Sequence, residues 1–149
     1  MFRGINALTI DAKGRFAMPT RYREALVRHN KASLVITIEP TETCLLLYPI
    51  LQWQEIEYKL QSLPSFHQAT RRMQRLLIGH ATDVELDHNG RVLLPNLLRE
   101  YANLDKKIVL IGQGNKFELW DEILWQSKRA EWLAADKKEL PQEMKSVSL

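Results

Sequence analysis

A fourteen-residue stretch of this chain occurs twice. Asp11-Ala-Lys-Gly-Arg-Phe-Ala-Met-Pro-Thr-Arg-Tyr-Arg-Glu24 returns 76 residues later as Asp87-His-Asn-Gly-Arg-Val-Leu-Leu-Pro-Asn-Leu-Leu-Arg-Glu100. Asp, Gly, Arg, Pro, Arg and Glu recur at six of fourteen positions, and apolar residues match between them. The likeness continues downstream with small deletions. Leu34-Val35-Ile36 answers Ile108-Val109-Leu110, Leu45-Leu46-Leu47-Tyr48 answers Phe117-Glu118-Leu119-Trp120, and Trp53 answers Trp125. Such a repeat implies one supersecondary unit used twice, each unit covering apolar surface that the other leaves open. The expected boundaries are 5–54 and 81–126 for the two units, with a helical linker over 55–80 and a C-terminal helix and tail over 127–149. A unit of about 50 residues buries too little surface to be stable alone. The units are therefore expected to pack across a pseudo-two-fold axis, which makes their Gly-Arg turns symmetry mates.

Each unit reads alike. A short strand (7–10; 84–86) leads to an Asp-x-x-Gly-Arg turn, in which Asp bonds nearby backbone and Gly takes the positive φ that tight turns need. A second strand follows (16–18; 92–94), and Pro19 and Pro95 stop it and suit a helix start. The helices that follow have apolar faces at Tyr22, Ala25, Leu26 and at Leu98, Tyr101, Ala102. Two more strands come next (34–38 and 44–48; 108–111 and 117–120), with a hairpin turn at Gly112-Gln113-Gly114-Asn115 in the second unit. A strand pattern follows that Gly-x-Gly, which argues against a phosphate loop. The closing helices have stripes at Trp53, Ile56, Leu60, Leu63 and at Leu124, Trp125, Trp132, Leu133. The linker places Phe66, Ala69, Met73, Leu76 and Leu77 on one helical face and Arg71, Arg72 and Arg75 on the other. Residues 136–149 are polar and expected to fray.

The net charge of +3 is unevenly distributed. Residues 1–31 hold seven basic side chains (Arg3, Lys13, Arg15, Arg21, Arg23, Arg28, Lys31) against Asp11 and Glu24, a net +5. The other 118 residues are at −2. A basic concentration favours a polyanion such as nucleic acid, although a solvated basic face reads the same way. No apolar run approaches the roughly 18–20 residues of a membrane span. Nor does a leader-like stretch follow Met1, so a cytoplasmic location without membrane contact is expected. The single Cys44 excludes an internal disulfide and a Cys-based zinc site.

Catalytic patterns are weak. The histidines (His29, His67, His80, His88) are scattered. Asp83, Glu85 and Asp87 alternate along one strand face and, with His80 or His88, could form a hard-cation or acid–base site, but an exposed acidic face explains them better. Neither a cofactor nor a metal is expected. The repeated arginines carry more. Arginine is permanently charged, a poor base, and its planar fork suits phosphate oxygens and the O6/N7 edge of guanine. Two readings of Arg15 and Arg91 stay open: an ion pair with Asp11 or Asp87 that fixes the turn, and a contact to DNA.

Two Asp-x-x-Gly-Arg-x-x-x-Pro units, an N-terminal Phe2-Arg3-Gly4, the run Arg71-Arg72-Met73-Gln74-Arg75-Leu76-Leu77 and Phe117-Glu118-Leu119-Trp120-Asp121 resemble the MraZ family. The resemblance extends to about residue 135, and its double motif is specific, since one copy alone would indicate only the wider AbrB/SpoVT-like superfamily. It implies an α+β fold of two pseudo-symmetric AbrB/SpoVT-like swapped-hairpin β units, packed as one barrel-like core with peripheral helices. It implies a bacterial transcriptional regulator and not an enzyme. Such proteins form ring-shaped homo-oligomers, associate with the nucleoid, and bind short tandem G-rich repeats in the double-stranded DNA upstream of their own division and cell-wall operon, usually as repressors. Carried over, the family's motif falls on Asp11 to Arg15 and Asp87 to Arg91. Arg15 becomes the leading DNA contact, and Arg91 either touches DNA or braces its turn. Lys13, Arg3, Arg21 and Arg23 complete the expected DNA-binding set, with Asp11, Gly14, Asp87 and Gly90 forming the turns. A protein–protein assembly module with incidental basic charge is the alternative.

Overall fold

In a computed structural model that describes residues 1–135 and 140–148, both units fold by one plan. The first runs β1 (Phe2–Thr9), β2 (Arg15–Ala17), α1 (Thr20–Asn30), β3 (Ser33–Ile38), β4 (Leu45–Pro49) and α2 (Ile50–Gln61). After α3 (Gln68–Leu77), the second runs β5 (Thr82–Glu85), β6 (Arg91–Leu93), α4 (Asn96–Tyr101), β7 (Lys107–Gly114), β8 (Phe117–Asp121) and α5 (Glu122–Ala134). A single turn of helix, α6 (Gln142–Lys145), ends the described chain. The fraying expected for 136–149 concerns, at 136–139 and 149, positions outside the described residues.

The strands exchange partners between units. β1 pairs antiparallel with β7, and β5 pairs antiparallel with β3, so each unit's first strand borders the other unit's third. β3 and β7 pair with β4 and β8 of their own units, and β4 and β8 meet at the centre. The result is a six-stranded sheet in the order β1-β7-β8-β4-β3-β5 and a separate two-stranded ribbon, β2-β6. Two pairings join residues that are each other's counterparts in the repeat: Phe16 with Val92 in the ribbon, and Leu46 with Glu118 in the sheet. They mark where the pseudo-two-fold axis passes.

Period-2 alternation divides the sheet's two faces. On the inner face Leu34, Ile36, Leu45, Leu47, Ile108, Leu110, Phe117 and Leu119 join Phe16 and Val92 of the ribbon and Leu26 and Leu98 of α1 and α4 in one core. On the outer face each half has its own cluster. Val35, Leu46 and Tyr48 pack on Trp53 of α2, and Val109, Ile111 and Trp120 pack with Cys44, Leu124 and Trp125. Cys44 is fully buried, and burial pushes its thiol pKa up.

The core is mixed α and β, with a mostly antiparallel sheet, but it does not close into the expected barrel. β1 and β5 are free edges of an open sheet. The cause lies in the chain after each turn. Only three residues extend before Pro19 or Pro95, which immediately precede α1 and α4. Strands this short pair with each other and bridge neither edge. The linker helix keeps its two faces, Leu76 and Leu77 half-buried and Arg72 and Arg75 exposed, but its apolar face is only partly covered. In α3 no residue is buried; Leu76 packs on the core, but Phe66 precedes the helix and is 76% exposed. The acidic strand reading changes too. β5 ends at Glu85, and Asp87 turns away into the loop.

Leu119 lies fully buried beside Leu45 where the halves meet. Leu119→Ala is expected to cost about 2–5 kcal/mol in urea unfolding, against under about 0.5 kcal/mol for Val27→Ala on the exposed side of α1.

Candidate nucleic-acid interface

The two Asp-x-x-Gly-Arg turns are built the same way. Asp11 Oδ1 accepts the N–H groups of Lys13 and Arg15, both at 2.9 Å, and Asp87 Oδ1 accepts those of Asn89 at 2.8 Å and Arg91 at 2.9 Å. The Asp11 N–H donates to the Arg15 carbonyl, and the Asp87 N–H to that of Arg91. Gly14 (φ 87°) and Gly90 (φ 74°) take the left-handed conformation that closes each loop. Both carboxyls are held below the ordinary Asp range, first by the backbone N–H of Arg15 or Arg91, which bonds only the ionised form well. A depressed folded value means that this support is present through neutral pH and is lost as pH falls through it.

Each turn is also fixed by the other unit. The Gly14 carbonyl accepts from Leu94 N–H at 3.0 Å, and the Gly90 carbonyl from Met18 N–H at 2.9 Å. An arginine from the opposite unit lies against each glycine. A β-carbon at residue 90 would stand 2.4 Å from Arg23 Nε, and one at residue 14 would stand 3.0 Å from an Nη atom of Arg99. Arg23 Nε donates to the Met18 carbonyl at 2.6 Å, while Arg99 Nε is buried without a partner among the described residues.

Ribbon pairing sets what the turns present. Phe16 and Val92 point into the core, so Arg15, Ala17, Arg91 and Leu93 share the outer face. Arg91 stands directly across from Ala17, on the diagonal from Arg15, a spacing of about 7–8 Å between backbones. The two arginines differ in one respect. Arg15 Nε donates to Asp11 Oδ2 at 3.0 Å, and its terminal nitrogens make no hydrogen bond among the described residues; no ion pair joins Arg91 to Asp87 among them.

The other basic residues fall in two places. Lys13 is exposed on the first turn. Arg3, exposed on β1, and Arg21, exposed on α1, meet through Tyr22: the Tyr22 hydroxyl donates to the Arg3 carbonyl, and Arg21 donates to Asn6 Oδ1 at 2.6 Å and to the Tyr22 hydroxyl at 2.9 Å. Arg23 is engaged inside the fold. Arg99 lies against the opposite turn's glycine without Arg23's backbone bond and is not in the expected set, although the repeat aligns it with Arg23. His80 Nδ1 lies 2.7 Å from the Leu76 carbonyl. Among the described residues, no three His, Cys, Asp or Glu side chains are grouped to hold a metal, and no helix is long and apolar enough to cross a membrane.

Gly90→Ala is expected to lose about 1–2 kcal/mol from its left-handed backbone alone, and more from the Arg23 contact. Denaturant titration of Gly90→Ala with and without Arg23→Ala separates the two. Removing the guanidinium recovers the steric part and leaves the backbone part.

Comparison with known proteins places these turns in a family. The family model described as MraZ protein, antitoxin-like, matches residues 1–76 and again 77–147. The chain is 64% identical to a protein named transcriptional regulator MraZ from Legionella pneumophila strain Corby, over the full length of both. It is 53% identical, again over both full lengths, to proteins of that name from Coxiella burnetii strain Dugway 5J108-111 and Halorhodospira halophila. On its matched motifs and full-length relatives, this chain belongs to the MraZ family.

Proposed function

We propose that the chain is a DNA-binding transcriptional regulator that reads DNA with the outer face of the β2–β6 ribbon. The pairing that sets Arg15 and Arg91 side by side on that face carries the reading. A two-stranded ribbon fits the major groove of B-DNA, about 12 Å wide, and an arginine fork bonds guanine O6 and N7. Asp11 holds Arg15 by Nε, so its two terminal nitrogens are preorganised for such an end-on contact at little further entropy cost. Lys13 beside it, and Arg3 and Arg21 at the end of β1, are placed for phosphates, which set register without reading sequence. Arg23 acts through the turn it braces. The relatives' shared name, transcriptional regulator, supports the same reading.

The finer reading follows the family resemblance. The protein forms a ring of identical subunits in the cytoplasm, nucleoid-associated. It binds tandem short G-rich repeats in its own promoter region and represses its own division and cell-wall operon. Tandem sites need a protein that presents one loop repeatedly, and linked contacts multiply modest single affinities. Exposed Tyr58, Phe66 and Ile123 offer apolar surface that self-association would cover.

Fluorescence anisotropy on the protein's own upstream duplex tests this reading. Arg15→Ala and Arg91→Ala should each weaken binding by about 1–3 kcal/mol or more. Lys13→Ala should instead reduce the log–log salt slope by about one per DNA-contacting subunit. An Arg15→Ala/Arg91→Ala double variant that binds the duplex as wild type does would overturn the assignment.

A further inference from the structure

At the end of the pseudo-two-fold axis away from the ribbon, a cavity of about 610 Å³ opens on the outer face of the sheet. Tyr48, Trp125 and Trp132 line it together with Glu39, Glu42 and Glu118. The three tryptophans pack together: Trp132 meets Trp120 edge to face at 5.8 Å between ring centroids and Trp125 edge to face at 6.0 Å, while Trp120 and Trp125 lie tilted at 5.8 Å. Trp120 is fully buried beneath, whereas Trp132 is 45% exposed.

The repeat shows what is unusual here. Where the second unit has Glu118 and Trp132, the first has Leu46 and Leu60 at the matching positions. Leu46 is also the residue directly across from Glu118. The fold therefore accepts leucine at this sheet position, and the second unit has a half-buried carboxylate instead. Among the described residues its one hydrogen bond comes from Trp120 Nε1 at 3.0 Å. Burial raises its pKa, and Glu39 and Glu42 nearby add to that shift. Among the described residues, three carboxylates line the cavity with one ammonium group, Lys116, and Lys128 lies 3.4 Å from Glu42. A half-buried carboxylate costs stability unless a positive charge answers it, and indole faces attract organic cations.

We propose that this cavity is a binding site for a small organic cation of the alkyl polyamine type. Its chain lies against Trp125 and Trp132, and one ammonium group pairs with Glu118. The volume falls within the range of small-ligand pockets, about 300–1,000 Å³.

The test uses the full-length protein without DNA, with spermidine as the probe, read by calorimetry and by tryptophan fluorescence. Saturable binding at one site per chain with a change in indole emission is expected. Glu118→Leu, which installs the first unit's residue, should weaken binding about tenfold or more while keeping or raising thermal stability. Trp132→Leu should weaken it as well. Glu24→Gln, which removes an exposed charge on α1, should leave it unchanged. Absence of saturable binding, or equal effects of Glu118→Leu and Glu24→Gln, would sink the proposal. So would a change in oligomer mass by light scattering in Glu118→Leu with no spermidine binding by wild type, which would assign the cavity to a second copy of the chain.

Discussion

Strand exchange between the two units underlies everything else in this molecule. Of the six strand pairings, four join one unit to the other: β1 with β7, β3 with β5, β4 with β8, and β2 with β6. The first two strands of a unit form no hairpin with each other. They diverge after the turn, one into the sheet and one into the ribbon. Most backbone bonds of a unit's first half are thus satisfied only when the second unit is present, which is why a duplicated unit of marginal size yields a single fold. The exchange also fixes the turns. With Gly14 bonded to Leu94 and Gly90 to Met18, the placement of Arg15 relative to Arg91 is a property of the core and not of two independent loops. A surface meant to match the spacing of groups along DNA benefits from that rigidity, because little ordering cost remains to be met on binding.

Much of this was legible in the residues. The repeat located the paired strands, the turn chemistry of Asp and Gly, and the prolines ahead of α1 and α4. Leu34 and Val35 enter different clusters, but both are apolar, so the residues alone did not say which face each would take. Partner choice was not legible either, since alternation concerns which face a side chain takes and not which strand lies beside it. For that reason the barrel-like core became an open sheet with a ribbon across it. Arg23 and Arg99 were obscure for a different reason. A guanidinium on a long apolar stem can be solvated or can lie along a backbone, and residue type does not distinguish the two. The stripe on α3 marks what the helix could bury, but in one chain little is present to cover Met73 or Phe66.

The two ends of the pseudo-axis have opposite characters. At the ribbon the units remain twins: Arg15 and Arg91 occupy equivalent places on an outer face where packing does not dictate residue type. Each arginine's N–H bonds its own Asp, but any residue's N–H could serve there, so turn geometry alone does not require the arginine side chain. Its presence in both units follows if a ligand meets both turns at once, as a groove of DNA would. At the other end the units have diverged on the outer face of the sheet. Glu118 and Leu46 are counterparts and direct neighbours, one a carboxylate and the other apolar, on the same half-buried face. A symmetric pair of leucines there would have stabilised the centre of the sheet at no electrostatic cost. The asymmetry gives up stability at a place where both halves could have shared it. A ligand that repays a buried carboxylate accounts for that loss, whereas packing alone does not.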